Sequence, residues 1–275
     1  GDVYYVIVDK DQIRLATTKA AATNEEPEPI ELDATSASGT YTLKTRKATI
    51  DALAVAGSAG GAYGSGTAGG LAGAGAGAEN TVINTVKAYI SDSPSVTSQT
   101  GSLVVDARDS SFVNADVVGA SFAIGISTGG NAGSLAVGVS VARNHITNTL
   151  EASVKDSTVH ADEGGMNIQV LEDATIMALS VAASVSGSLS SGGGSALALS
   201  GGGAEALNDI SSDANAFVQD STLTSRNDVQ IIAINDASIE ADVYAIAASG
   251  SVGNGVAAAI GGARAVNTVH GEGAN

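Results

Sequence analysis

The segment "GGLAGAGAGAENTVINTV", residues 69–86, alternates two kinds of side chain. Counting back from Asn80 in steps of two gives Ala78, Ala76, Ala74 and Ala72. The same count from Asn144 gives Ala142, Ser140, Gly138 and Ala136; from Asn208 it gives Ala206, Ala204, Gly202 and Ser200. From Asn267 it gives Ala265, Ala263, Gly261 and Ala259. All 16 positions are Ala, Gly or Ser, whereas only 6 of the 16 interleaved ones are small, and the rest include Glu79, Arg143, Leu207 and Val266. A flexible linker has no reason to separate its parities; a strand does, because successive side chains face opposite sides. The parity continues past each Asn, with Val82, Ile146, Ile210 and Val269 two residues on and Asn84, Asn148 and Ser212 four residues on. This face is expected to point inward, its small residues letting two backbone layers approach closer than the usual ~10 Å. Helical repeats do not fit, since "IDALAVAG", "NIQVL" and "VQIIAI" carry no 3.6-residue stripe and are rich in β-branched residues.

The alternation recurs at a fixed distance. Asn80, Asn144, Asn208 and Asn267 are spaced 64, 64 and 59 apart, and Asp92, Asp156 and Asp220 are 64 apart. Asp109, Asp173 and Asp236 follow at 64 and 63, and Ile50, Val113, Ile176 and Ile239 at 63 throughout. A shorter echo lies inside each unit: "DSTVHA" at 156–161 resembles "DATIMA" at 173–178. Short laps of this kind predict an all-β chain, a β-solenoid in the form of a right-handed parallel β-helix. Its units of 63–64 residues would span 48–275 as 48–110, 111–173, 174–236 and a partial 237–275. Residues 1–47 read differently, as a small β module with strands at 3–9 and 12–17 around a tight polar turn. "PIELD" and "TYTLKT" predict further short strands, and "AAATNEEPEP" a loop.

Composition sharpens this picture. Aromatics are 3% of the 275 residues and Trp is absent, so a core must be filled by Ala, Val, Ile and Leu. The absence of Cys excludes disulfides and thiolate chemistry. The net charge of −17 argues against nucleic acid or an anionic membrane as a partner, and no apolar run is long enough for a membrane span. Residues 1–47 hold 6 of the 12 basic and 8 of the 29 acidic groups, leaving 6 basic and 21 acidic in the repeats. The chain opens on Gly1 rather than Met, as expected of a fragment or a processed product.

Candidate chemistry is sparse. Asn80, Asn84, Asn144, Asn148, Asn208 and Asn267 share the inward face, so the favoured reading is a structural ladder of side-chain amides. A ligand-facing array is the alternative. Asp92, Asp156 and Asp220, with Asp109, Asp173 and Asp236, fall at lap ends, where Asp caps turns. Stacked like charges also suit Ca²⁺, the one cofactor the sequence raises. "GSGTAG" at 64–69 has the spacing of a dinucleotide loop but no βαβ context. His145, His160 and His270 are scattered, and no nucleophile elbow stands in a strand–turn–helix setting. No enzyme is expected, and no catalytic residue is assigned.

Together, "YYVIVDKDQIRLATT" and units of the type "ALAVAG…GAGAGAENTVINTVKAYISDSPSV…SLVVDARDSS" resemble very large repeat-bearing bacterial extracellular proteins, including leukotoxin-like filamentous adhesins. The resemblance covers nearly the whole chain. It implies a secreted, β-helical stalk, adhesin or matrix component at the cell surface. The expected role is a structural subunit or segment of an extracellular filament, surface layer or matrix, with copies of itself or neighbouring repeats as partner. An adhesin segment binding a glycan or host surface, and a Ca²⁺-dependent spacer, are the alternatives.

Overall fold

The computed structural model describes residues 5–9, 12–16 and 48–272. The chain divides into two compact units, 1–40 and 41–275. In the first, β1 (Tyr5–Asp9) and β2 (Gln12–Ala16) form an antiparallel hairpin with Tyr5 opposite Ala16. Both lie within the strands expected at 3–9 and 12–17. The strands expected at "PIELD" and "TYTLKT", and the loop between the strand pairs, lie outside the described residues.

The second unit is all-β, and its strands pair in parallel. β3 (Ala48–Gly64), β6 (Leu103–Ser127), β9 (Met166–Ser190) and β12 (Val229–Val252) make sheet I. β4 (Ala68–Ser91), β7 (Ala132–Lys155), β10 (Ser195–Gln219) and β13 (Asn254–Glu272) make sheet II, and β5 (Val96–Ser98), β8 (Thr158–Ala161) and β11 (Thr222–Ser225) make the short sheet III. The chain visits sheets I, II and III in turn, so each strand lies beside its counterpart from the previous circuit. Asn80 sits beside Asn144, Asn144 beside Asn208, and Val113 beside Ile176. We refer to β3–β5, β6–β8, β9–β11 and β12–β13 as tiers.

The strands are up to 25 residues long, far above the common five or six, and their burial alternates residue by residue. Inside, side-chain size falls away from sheet III. Next to that sheet Val105, Leu150, Val154, Val159, Ile168 and Val170 pack together. Further along are Val113, Ile146, Ile176 and Ile210, then Ala115, Val117, Ala142 and Ala206. Beyond these, sheets I and II nearly touch. A Cβ at Gly119 would overlap the carbonyl of Val139, one at Gly138 that of Ala183, and one at Gly125 that of Gly133. The small inward residues therefore let backbone meet backbone, and the interior is a wedge.

Turns stack as the strands do. At the thin end, the amide of Thr128 donates to Gly64 O at 3.0 Å and that of Ser191 to Ser127 O at 3.0 Å. The last such turn is reduced to Gly253, held at φ 108°, a conformation that favours glycine. The shorter turn accounts for the 59-residue offset between Asn208 and Asn267 where the earlier offset is 64.

Candidate functional site

The Asn column occupies the middle of sheet II. Asn80 Nδ2 donates to Asn144 Oδ1 at 2.8 Å, Asn144 Nδ2 to Asn208 Oδ1 at 2.8 Å, and Asn208 Nδ2 to Asn267 Oδ1 at 2.9 Å. Asn80, Asn144 and Asn208 are buried, and Asn267 in the last tier is exposed. A buried amide with no partner is costly, and here each satisfies its neighbour. The series has one direction, from the first tier to the last.

The second Asn pair does not form such a ladder. Asn84 Nδ2 donates to Asp109 Oδ1 at 3.0 Å and to Ser111 Oγ at 2.9 Å, both on the facing sheet. Asn148 Nδ2 bridges Asp109 Oδ2 at 2.9 Å and Glu172 Oε1 at 2.8 Å, and Ser212 Oγ donates to Glu172 Oε1 at 2.6 Å. Asp109 and Glu172 are buried neighbours in register, and Asn148 Oδ1 and Glu172 Oε2 have no hydrogen-bond partner. Glu172 escapes the 64-residue alignment because an Asp follows it. Its signal was the parity: Glu172 lies on the inward face, Asp173 on the outward one.

The acidic columns separate accordingly. Asp109 does not stand with Asp173 and Asp236; it pairs with Glu172, while Ser110, Asp173 and Asp236 share a row. Asp173 and Asp236 are exposed and Asp109 is buried, so these three do not gather round one ion. Asp92, Asp156 and Asp220 do recur at one turn, all exposed and with φ of 52°, 45° and 46°. Asp tolerates this left-handed backbone better than most residues. The Asp backbone amides bond to the next turn, Asp92 N to Lys155 O at 3.2 Å and Asp156 N to Gln219 O at 3.1 Å, and the adjacent serine side chains add to this: Ser157 Oγ accepts from Ser93 N at 3.0 Å, and Ser221 Oγ from Ser157 N at 3.1 Å. Among the described residues no group of three or more His, Asp or Glu is placed to hold a metal.

Outside the Asn column, the flanking outward residues line a concave groove of about 260 Å³. Glu79, Arg143 and Asp209 supply its charge, His145 an imidazole, and Thr81 and Thr268 its hydroxyls. His145 Nδ1 lies 2.9 Å from Asp209 Oδ2, and Arg264 is paired with Glu205 at 2.6 Å. Toward the thin end the outer faces turn apolar, with Leu71, Leu135, Leu199, Val137, Val139 and Ile260 exposed.

The last tier differs most from the middle of the stack. Val229 is 43% exposed, Ile231 49% and Val269 53%, whereas their counterparts Met166, Ile168 and Ile210 are 2%, 1% and 0% exposed. The last tier thus presents core side chains and the unpaired backbone edges of β12 and β13. No family model matches the chain, and no curated protein or solved structure matches it either. No helix among the described residues is long and apolar enough to cross a membrane.

Proposed function

We propose that residues 48–275 form a β-solenoid of 63–64-residue units, a right-handed parallel β-helix, serving as a structural segment of an extracellular filament, surface layer or matrix. The observation that carries this reading is the last tier, where Val229, Ile231 and Val269 expose positions that are sealed one tier earlier. Exposed apolar core beside unpaired strand edges is a template for further β pairing. The buried side chains serve packing or internal hydrogen bonds, so the reading is structural rather than catalytic. The resemblance to repeat-bearing bacterial surface proteins supports the same location and role.

Purified protein should assemble as concentration rises, and aligned material should give a 4.7–4.8 Å repeat along its axis. Sedimentation showing a monomer up to millimolar concentration would remove the reading. The groove around Arg143, His145 and Asp209 supports an adhesin role as the second reading. Glycan-array binding that Arg143→Ala abolishes, without assembly, would favour it.

A further inference from the structure

We propose that the outer face of sheet II docks on the same face of a second copy of this chain, ridge into trough, about a twofold axis parallel to the strands. This pairing uses a different surface from the strand-edge pairing proposed above.

The face is apolar where the wedge is thin. On β7 the outward residues Leu135, Val137 and Val139 are exposed, and on β10 so are Leu197 and Leu199. Both strands lie inside sheet II, so neither end of the stack creates this exposure. Over the four rows from Gly133 to Val139 no strand of the sheet brings a charge outward, in a chain of net −17. The first charges, one row further on, are Glu205 and Arg264, which neutralise each other at 2.6 Å. Exposed Asn131 and Ser195 border the other side. An interface has the same composition, a core depleted of charge within a polar rim.

Glycines cut troughs in this face. A Cβ at Gly133, Gly201 or Gly203 would meet nothing within 4 Å, so the interior has no need of them, in contrast to Gly138. Glycine weakens a strand, and there it often marks a close approach by another backbone.

The register shows what approaches. Across the line between β7 and β10, Gly133 stands beside Leu197, Val137 beside Gly201 and Val139 beside Gly203. A twofold axis along that line lays each copy's β7 on the other's β10 with the rows aligned. Val137 then enters the trough at the partner's Gly201, Val139 that at the partner's Gly203, and Leu197 that at the partner's Gly133. The outer strands repeat the fit, because the same axis sets Gly69 opposite Val256, Leu71 opposite Ala258 and Gly73 opposite Ile260. Only the row of Leu135 and Leu199 sets large against large. Aligning the two tier orders instead would lay the β7 ridge on itself. The outer face of sheet I lacks the pattern: Val118 stands beside Val181, Phe122 beside Val185 and Ile126 beside Leu189.

Four strands ~4.8 Å apart and four rows ~6.6 Å apart cover ~500 Å² on each copy and ~1,000 Å² for the pair, the lower bound of a specific interface. The contact uses the same patch twice, so it closes as a dimer whose tier orders are opposed.

Gly203→Val fills a trough from its open side. It should fold as wild type by circular dichroism, and its dimer dissociation constant should rise at least tenfold. Gly187→Val, which meets open space on sheet I, should change neither. Sedimentation in high salt, which screens the net charge, reads the dimer. The chain has no Cys, and the axis sets Gly75 opposite Gly262, so Gly75→Cys and Gly262→Cys proteins are mixed and treated with a short bis-maleimide. Links between 75 and 262 should exceed links between like positions at least tenfold. A dimer indifferent to Gly203→Val, or linked mainly through like positions, would overturn the pairing. So would a wild-type chain with no dimer at millimolar concentration. If that chain forms fibres, the strand-edge assembly still stands; if it floats with neutral phosphatidylcholine vesicles, the partner of this face is lipid.

Discussion

Asn144→Leu tests whether the amide column holds the fold together. Asn144 is 3% exposed, accepts from Asn80 at 2.8 Å and donates to Asn208 at 2.8 Å. Leucine matches its volume but can do neither, so Asn80 Nδ2 and Asn208 Oδ1 lose their partners inside the wedge. Each orphaned buried group costs about 1–3 kcal/mol, about 2–6 kcal/mol together. Burying the leucine side chain returns at most about 2 kcal/mol, since Ala142 and Ile146 already seal the site. At mid-range the two orphaned groups lose about 4 kcal/mol and the leucine returns at most about 2 kcal/mol, a net loss of about 2 kcal/mol or more. In a unit of this size 2 kcal/mol lowers Tm by about 4–8 °C. Asn267→Leu is the internal control: it removes one bond at an exposed position and should cost under about 1 kcal/mol. Both are measured by circular dichroism during heating and in urea, at micromolar protein and low salt, with sedimentation to check that each sample is monomeric. The reasoning is refuted if Asn144→Leu stays within 0.5 kcal/mol of wild type, or if the two variants fall together.

Gly138→Ala drives a methyl group into the Ala183 carbonyl and should cost about 2 kcal/mol or more in urea unfolding, whereas Gly187→Ala meets open space and should be neutral. Glu172→Gln keeps an acceptor for Asn148 and Ser212 and removes one of two adjacent buried carboxylates; stability at pH 7 should hold or rise by about 1 kcal/mol, and a fall of that size would contradict the geometry. The Lys155 hydrogen bond, outweighing partial burial, holds the Glu151 carboxyl below its ordinary 4.5, with Ser153 and Lys87 adding to it. A lowered carboxyl stabilises the folded state above that value and loses its contribution as pH falls through it, so Glu151→Gln should flatten the acid limb of a Tm–pH curve below about pH 4.5. The effect is small because Lys87 and Lys155 are partly in water. Chelator should leave Tm unchanged, because the described acids are not gathered into a metal-holding group.

Strand parity was legible in the sequence because sterics impose it: a Gly/Ala/Ser face can only be one that something approaches closely. The parallel neighbours followed from Asn and Ile recurring at one distance. What alignment by residue type missed was the face. Asp109 matches Asp173 in identity, yet backbone register sets Asp109 beside Glu172, and the shift of one residue moves a carboxyl from solvent into the interior. Nor could sequence say that Asn148 would turn from its own column toward the facing sheet, since that depends on Asp109 standing across the wedge. At the Asp-Ser turns the conspicuous Asp provides backbone shape and a backbone amide, while the side-chain bonds between turns come from the less conspicuous Ser.

Because the strands run across the stack, their backbone hydrogen bonds point along it. A pull along the stack therefore loads a whole tier boundary at once, with 24 residues of β7 against 25 of β10 and 25 of β9 against 24 of β12. The last boundary is weaker: β13 has 19 residues, and the described tier adds no strand to sheet III. Tension should part the β10–β13 boundary before the longer ones, and in single-molecule pulling a first small rip should precede a much larger one. For a tether under load, such a short boundary acts as a mechanical fuse, yielding before the amide column in the middle is strained.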